Sequence, residues 1–431
     1  MPGLRPRHEL PPGPRAPLPL QTAAWLVRPG PFLARAHAEH GDVFTVRIAG
    51  EVPWVALVGP DAVQEVFTGD PAVLHAGRAN RILLPFLGRA SVLLLDGPEH
   101  LRQRKLMLPP FHGSCMAGYH DLIAQIAREH VARWPRGEPL ALAPRFQAIT
   151  LEVVLRVIFG VEERSDRLEP LRRSLARMME RLMSGASLFT LLALGPDRAA
   201  RARIYEPVRR PVDRLLAEQI AERRARPGDD VLSLLVSARG EDGGRLSDAE
   251  LRDELVTLLV AGHETTATAL GWTVERLVRR PGGWAALQAG GELYAEAAGK
   301  EALRLRPVIP LVVRHLQAPL RIAGHDLPAG AVVAPCIQLV HRRPELYPEP
   351  AAFRPERFLG PHPQGGTYTW IPFGGGVRRC LGAAFALMEL RVVLAELARS
   401  AAVTAAEDTP EPTRRRTITL VPGRGARVVL R

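Results

Sequence analysis

Lysine is nearly missing from this chain: of its 57 basic residues only Lys105 and Lys300 are lysine, and the rest are arginine. Against 45 acidic residues the balance leaves a net charge of +12. So strong a preference for arginine, in a chain also rich in alanine, reads as compositional drift, although a basic surface would favour an acidic protein partner over a neutral one. Aromatic residues make up 5% of the chain and are not interleaved with any basic run, which excludes the pattern of a nucleic-acid binder. Cysteine is scarce too. Cys115, Cys336 and Cys380 are scattered and odd in number, which excludes a disulfide framework, and none stands in Cys-x-x-Cys spacing, which excludes a zinc or iron–sulfur cluster. A reducing, cytoplasmic setting follows. No apolar run reaches the ~18 to 20 residues that cross a bilayer, so no membrane span is expected. No Gly/Ser linker or shift in composition divides the chain, and hydrophobic residues at 46% suffice for a substantial core. The reading is one large domain over residues 20–431, preceded by a proline-rich arm over residues 1–19.

What is present centres on residues 370–382, Trp-Ile-Pro-Phe-Gly-Gly-Gly-Val-Arg-Arg-Cys-Leu-Gly. Gly374, Gly375 and Gly376 permit backbone angles barred to other residues and let the chain lie close against a flat ligand, while Gly382 leaves no side chain beside the sulfur. From 381 to 398 apolar residues recur at helical spacing. Cys380 is thereby expected at the mouth of a helix, where the dipole and free backbone N–H groups favour a thiolate. A lone cysteine is more often a small buried hydrophobe, and three glycines are more often a turn. A phosphate loop is excluded because no Gly-Lys-Ser/Thr follows the glycines. Ligation of a metal by one thiolate remains, and a haem fits it: the sulfur takes an axial position on iron, the glycines pass beneath the ring, and Arg378 meets a propionate.

On these residues the chain resembles the cytochrome P450 superfamily of haem-thiolate monooxygenases. The signature Phe-x-x-Gly-x-Arg/His-x-Cys-x-Gly is matched by Phe373, Gly376, Arg378, Cys380 and Gly382. The resemblance implies a mainly α fold with a small β-rich region and haem b as cofactor. It also implies Cys380 as the metal ligand, with Phe373, Gly374, Arg378 and Gly382 in the cofactor site. Further motifs follow in the family's order. His100 and Arg104 stand four apart on one helix face, by itself a solvated basic face; the resemblance makes them propionate contacts, with Arg314 as a third.

Ser247 and Glu250 form a capping box that opens an apolar-periodic stretch reaching residue 280, where Pro281 stops it. Its length would be about 50 Å. Its middle reads Ala261-Gly262-His263-Glu264-Thr265-Thr266. A zinc-protease reading of His263-Glu264 fails, because Ala267 stands where a second histidine is required. Threonines bonding back to helix carbonyls would explain the hydroxyls but not the neighbouring glycine and acid. The six residues match the family's Ala/Gly-Gly-x-Asp/Glu-Thr-Thr motif. There the small residues, here Ala261 and Gly262, make room for dioxygen, the Thr265 hydroxyl holds water beside it, and Glu264 replenishes protons. Glu301 and Arg304, alone a helix surface pair, resemble with Arg357 the family's buried Glu-x-x-Arg network supporting the loop beneath the haem.

Elsewhere, patterning predicts strands over 43–48 and 54–58 and a helix capped by Asp61 through 67. Further helices are expected near 114–134, 144–159, 166–183, 202–225 and 231–238, then a strand-rich section from 312 with a turn at 327–330. Residues 417–420 and 426–430 are expected to form a last hairpin. Gly290, Gly291 and Gly299 weaken the helix leading into Glu301, whose start is therefore expected to be late.

The resemblance implies insertion of one atom of dioxygen into a lipophilic small molecule, by hydroxylation or epoxidation, in a monomeric protein. Residues 76–95, 184–198, 258–265, 308–312 and 417–420 would line the substrate space. With no flavin or ferredoxin segment in the sequence, electrons would come from a separate ferredoxin or flavodoxin and its NAD(P)H-dependent reductase. Two rivals stand beside this reading. A peroxide-driven hydroxylase is associated in the family with loss of the acid–threonine pair, which is present here; a non-catalytic haem-thiolate sensor or carrier would need no proton relay. Arg379, Arg102 and Lys105 are expected to form a basic docking patch near the cysteine.

Overall fold

The structure is a computed structural model that describes residues 10–113, 115–160, 168–182, 185–241, 243–361 and 364–431. Its axis is the helix Asp248–Arg279, whose 32 residues extend about 48 Å. The helix starts as its sequence requires: Ser247 Oγ accepts from Glu250 N at 3.2 Å, and Glu250 Oε2 accepts from Ser247 N at 2.7 Å. Such a cap stabilises a helix by about 1 kcal/mol. Burial supplies far more. Leu251, Leu255, Leu270, Trp272 and Leu277 are fully covered, because the helices Leu142–Phe159 and Gly283–Leu305 pack along this one. Gly283–Leu305 in turn lies on Ala383–Ser400, the helix that follows Cys380, and that helix rests on Cys115–Ala132. Together these helices enclose the largest hydrophobic core.

The β structure is small and lies to one side. Its main sheet runs Val43–Val46, Trp54–Leu57, Val332–Pro335, Arg314–Leu316, Leu74–His75, antiparallel except between Trp54–Leu57 and Val332–Pro335. Arg314 faces Val333 in this register, so the sheet brings a strand arginine to the same region as the cysteine loop. Residues of the proline-rich arm are tied to the sheet edge: Thr45 N donates to Pro12 O at 2.8 Å and Thr45 Oγ1 to Pro11 O at 2.7 Å. The first helix then begins at Leu18.

Most expected elements fall within a few residues of their predicted ends; the cap of one helix and the last hairpin depart. The helix Pro60–Thr68 is entered through Gly59 with no side-chain cap, so Asp61 lies inside its first turn. The expected last hairpin is paired differently. Thr413–Arg416 pairs with Thr419–Pro422, Thr417 occupies the turn with φ of 56°, and Arg427–Leu430 joins Pro139–Ala141 and Val403–Ala405 in a separate sheet. The helix leading into Glu301 does start late: Gly291, with φ 53° and ψ −141°, breaks Gly283–Leu305 into two helices, and the second begins after it. Gly299 serves packing: a Cβ there would stand 2.0 Å from Leu390 Cδ2, so its absence lets two buried helices approach. Finally, Arg102 is paired with Glu250, and Lys105 Nζ lies 2.8 Å from Glu241 Oε1. The expected patch therefore keeps only Arg379 as an exposed cation without an ion pair among the described residues.

Candidate active site

Three elements gather around Cys380. The helix Gly97–Met107 carries His100 and Arg104, and it is fixed to the long helix through Glu250, which accepts from Gln103 Nε2 at 3.1 Å. The sheet supplies Arg314, and the loop before Ala383–Ser400 supplies Arg378 and Cys380 itself. These charges feel one another. Burial pushes the His100 ring down to about 3, helped by Arg378, Arg104 and Arg314, so this histidine is neutral at physiological pH. Burial also lowers Arg314 to about 10, with Arg378 adding repulsion. It lowers Arg378 to about 10 as well, where Asp96 opposes the shift and Arg104 adds to it.

Among the described residues Asp96 is the one carboxylate acting on these cations, and it is already engaged: it accepts from Arg378 Nη2 at 2.5 Å, from Gly77 N at 2.8 Å and from Arg78 N at 2.9 Å. Neither His100 nor Arg104 makes a side-chain hydrogen bond to protein among the described residues. A group of three arginines and a histidine, with His100 and Arg314 buried and Arg104 and Arg378 partly so, and one carboxylate among them is short of negative charge. A ligand with two carboxylates, such as haem, supplies it, and the donor set fits that group.

Cys380 Sγ is accessible, yet enough protein surrounds it that burial raises its thiol above the ordinary range. The Gly382 N–H, Arg104 and Arg379 act in the opposite direction. Cys380 N donates to Phe373 O at 2.9 Å and Gly374 N to Ile371 O at 3.0 Å, so the loop closes on itself before the helix begins at Ala383. Cys380 thus lies just outside that helix, with Gly382 as its N-cap. The glycines do work that their spacing did not disclose. A Cβ at Gly375 would stand 2.0 Å from the Phe67 ring, and one at Gly376, where φ is +63°, 1.9 Å from Phe67 O. A Cβ at Gly374, where φ is +68°, would meet Val312 Cγ1 at an ordinary 3.8 Å, and Gly382 has open space around it. Phe373 is half-buried, its ring 6.0 Å from that of Trp370.

Behind the loop stands the ion-pair network. Arg304 Nε and Nη2 donate to Glu301 at 2.7 and 2.8 Å, and both residues are fully buried. Arg304 also donates to the carbonyls of His341 and Pro350 at 2.8 Å and of Ala352 at 3.1 Å. Arg357 Nε reaches Glu301 Oε1 at 3.4 Å. His341, neutral because burial pushes it down to about 3, accepts from Ile371 N at 2.8 Å. The network thus ends on the backbone of the cysteine loop.

On the long helix, Ala261 is exposed and Thr265 half-buried in the middle of an otherwise covered element. This face therefore borders an open interior space. Thr265 Oγ1 donates to Ala261 O at 2.6 Å and Thr266 Oγ1 to Gly262 O at 3.0 Å. Glu264 is buried on another side, held by Gln147 Nε2 at 2.8 Å and Arg416 Nη1 at 2.9 Å. Neither partner was foreseen, since each lies more than a hundred positions away and no local pattern marks it.

A helical fold with one exposed cysteine in a glycine loop, and cations gathered for two carboxylates, is the arrangement of a haem-thiolate protein. The chain matches the sequence profile of the cytochrome P450 family over residues 11–290 and 293–428. It is 42% identical over 440 residues to cytochrome P450 135B1 of Mycobacterium tuberculosis, covering 98% of this chain and 91% of that protein. It is also 42% identical over 412 residues to cytochrome P450 137 of the same organism, covering 93% and 85%. Among solved structures, a cytochrome P450DA heme domain superposes with a TM-score of 0.82 at 25% identity, covering 98% of this chain and 97% of that one. A retinoic-acid-bound cyanobacterial CYP120A1 shares the fold with a TM-score of 0.82 at 24% identity, covering 98% and 99%. The chain belongs to the cytochrome P450 family. It is a haem-b-binding monooxygenase that takes electrons from a redox partner and acts on a small molecule. Among the described residues no helix is long and apolar enough to cross a membrane.

Proposed function

We propose that this protein hydroxylates or epoxidises a lipophilic small molecule as a single-chain domain, with electrons from a ferredoxin or flavodoxin and its NAD(P)H-dependent reductase. The haem supplies the reductive activation of dioxygen. Cys380 is the thiolate ligand, its charge favoured by the Gly382 N–H, Arg104 and Arg379. Arg378, Arg104, Arg314 and neutral His100 would hold the carboxylates of the haem, and Phe373, Gly374 and Gly382 would shape the loop against it. Ala261 leaves room on the oxygen side. Thr265 offers a hydroxyl there, and Glu264 passes protons inward. Its clamp residue Arg416 is only partly buried, which gives that acid a side toward solvent.

The observation that carries this reading is the group of three arginines and a histidine, buried or partly buried, beside the exposed Cys380. The test is the spectrum of the reduced, carbon-monoxide-bound protein. Wild type is expected to show the strongly red-shifted Soret band of thiolate ligation, and Cys380→His to lose it; a Cys380→His protein that keeps the band would overturn the ligand assignment.

A further inference from the structure

The helix Leu142–Phe159 lies along the long helix Asp248–Arg279, and three of its side chains meet the residues just before Thr265. Gln147, Thr150 and Val154 stand three and four positions apart, so they share one helix face. Gln147 Nε2 donates to Glu264 Oε2 at 2.8 Å, and Val154 comes so near that a Cβ at Gly262 would stand 3.2 Å from its Cγ2. Between them Thr150, fully buried, donates Oγ1–H from one helix to the other, reaching His263 O at 2.9 Å.

A threonine inside a helix ordinarily gives its proton to a carbonyl of its own helix. The long helix shows the habit: Thr257, Thr265, Thr266 and Thr273 donate to Asp253 O, Ala261 O, Gly262 O and Ala269 O, each one turn earlier, at 2.6 to 3.0 Å. For Thr150 the carbonyl within its own helix, Gln147 O, lies 3.4 Å away, beyond the ordinary range of an O–H···O bond. A hydroxyl has one proton, so it goes to the long helix. Helix carbonyls already serve the amide four positions on; a second donor draws a carbonyl outward, lengthens the ladder on that side and curves the helix. Leu259 O, Ala261 O and Gly262 O receive second donors from within the long helix, the first from the His263 ring at 3.2 Å. The donor to His263 O comes from a neighbour, so it fixes the direction of the curve. Positions two apart on a helix face nearly opposite ways, which sets His263 opposite the face on which Ala261 and Thr265 stand.

We propose that Thr150 is a positioning residue of the oxygenation site: its hydroxyl draws the His263 carbonyl toward Leu142–Phe159, and this sets the curvature of the turn that presents Ala261 and Thr265 to the oxygen side of the haem. Buried on the far face of the long helix, Thr150 acts only through that backbone. The inference rests on the haem-thiolate reading of the site.

The test compares the holoproteins of wild type, Thr150→Val, which keeps the side-chain shape and loses the donor, and Thr150→Ser, which keeps the donor. The first readout is the infrared stretch of carbon monoxide on the reduced haem, which senses the oxygen side directly. Thr150→Val is expected to shift or split that stretch, and Thr150→Ser to leave it at the wild-type position. The second readout is the fate of electrons from a surrogate ferredoxin and reductase. Thr150→Val should send a larger share to hydrogen peroxide with haem content unchanged, and Thr150→Ser should not. A stretch that stays put in Thr150→Val, even with lowered thermal stability, would reduce the bond to packing and overturn the proposal; so would a serine variant that shifts as far as the valine one. Should Thr150→Val fail to fold, Thr150→Ala lacks the same donor and takes its place in the comparison. Wild type without the red-shifted Soret band would overturn the haem-thiolate reading and this inference with it, whereas an unmoved stretch beneath an intact band overturns the inference alone.

Discussion

Arg304→Ala is the substitution whose cost can be worked out most directly. It removes both bonds to Glu301 and the donors to three carbonyls, those of His341, Pro350 and Ala352. Glu301 is fully buried and would keep Arg354 N at 2.8 Å and Arg357 Nε at 3.4 Å. Leaving one member of a buried pair alone costs about 3–5 kcal/mol, and each unsatisfied carbonyl adds about 1 kcal/mol. The combined loss approaches the whole stability of an ordinary domain, about 5–15 kcal/mol. Because the network reaches Ile371 through His341, the damage should fall on the cysteine loop, so haem content should drop with stability. Glu301→Leu combined with Arg304→Met removes the stranded carboxylate and should recover about half of the loss. Guanidinium unfolding of the haem-loaded proteins, with haem content measured alongside, gives the comparison. If Arg304→Ala unfolds within about 1 kcal/mol of wild type and keeps its haem, the loop is held by something else.

Three other outcomes are expected. Thr265→Ala should keep haem and ligand binding but, with a surrogate ferredoxin and reductase and a compound chosen by spectral screening, divert electrons to hydrogen peroxide; unchanged coupling would remove the role given to the hydroxyl. Gly376→Ala should lose most haem, since its φ of +63° and the Phe67 carbonyl both oppose a side chain, whereas Gly382→Ala, with open space around it, should keep most; equal haem content in the two would refute the packing account. Arg379→Glu should slow reduction by an acidic donor at low salt, while Arg102→Glu with Lys105→Glu should do so less, their charges being already paired; the reverse order in stopped-flow reduction would move the docking site.

Legibility in the sequence followed distance along the chain. The cysteine loop, the capping box at Ser247 and the acid–threonine run are local, because turn chemistry and helix periodicity operate over a few residues. The convergence of His100, Arg104, Arg314 and Arg378 is not local, and it was readable only through resemblance. Gln147 and Arg416 beside Glu264 left no trace, since a buried carboxylate selects partners by position in space. The same limit explains the terminal strands: 417–420 and 426–430 have compatible patterns, and only the fold decides that the second segment pairs with 139–141 and 403–405. Gly375 and Gly376 carried the right residue type, but their close neighbour is Phe67.

The interruption at Gly291 separates two grips on the helix that follows Cys380. Before it, Trp284 Nε1 donates to Ala401 O at 3.1 Å and Gln288 Nε2 to Ala398 O at 3.0 Å, holding the far end of Ala383–Ser400. After it, Glu296 meets Arg391 at 3.2 Å and Gly299 nests against Leu390, holding the middle. The family match also parts between residues 290 and 293. An unbroken helix would transmit every added or lost residue as a rotation of about 100° to Glu301. A break in the backbone stops that rotation, so chain length can vary at this point across relatives while Glu301 and the cysteine loop keep their alignment.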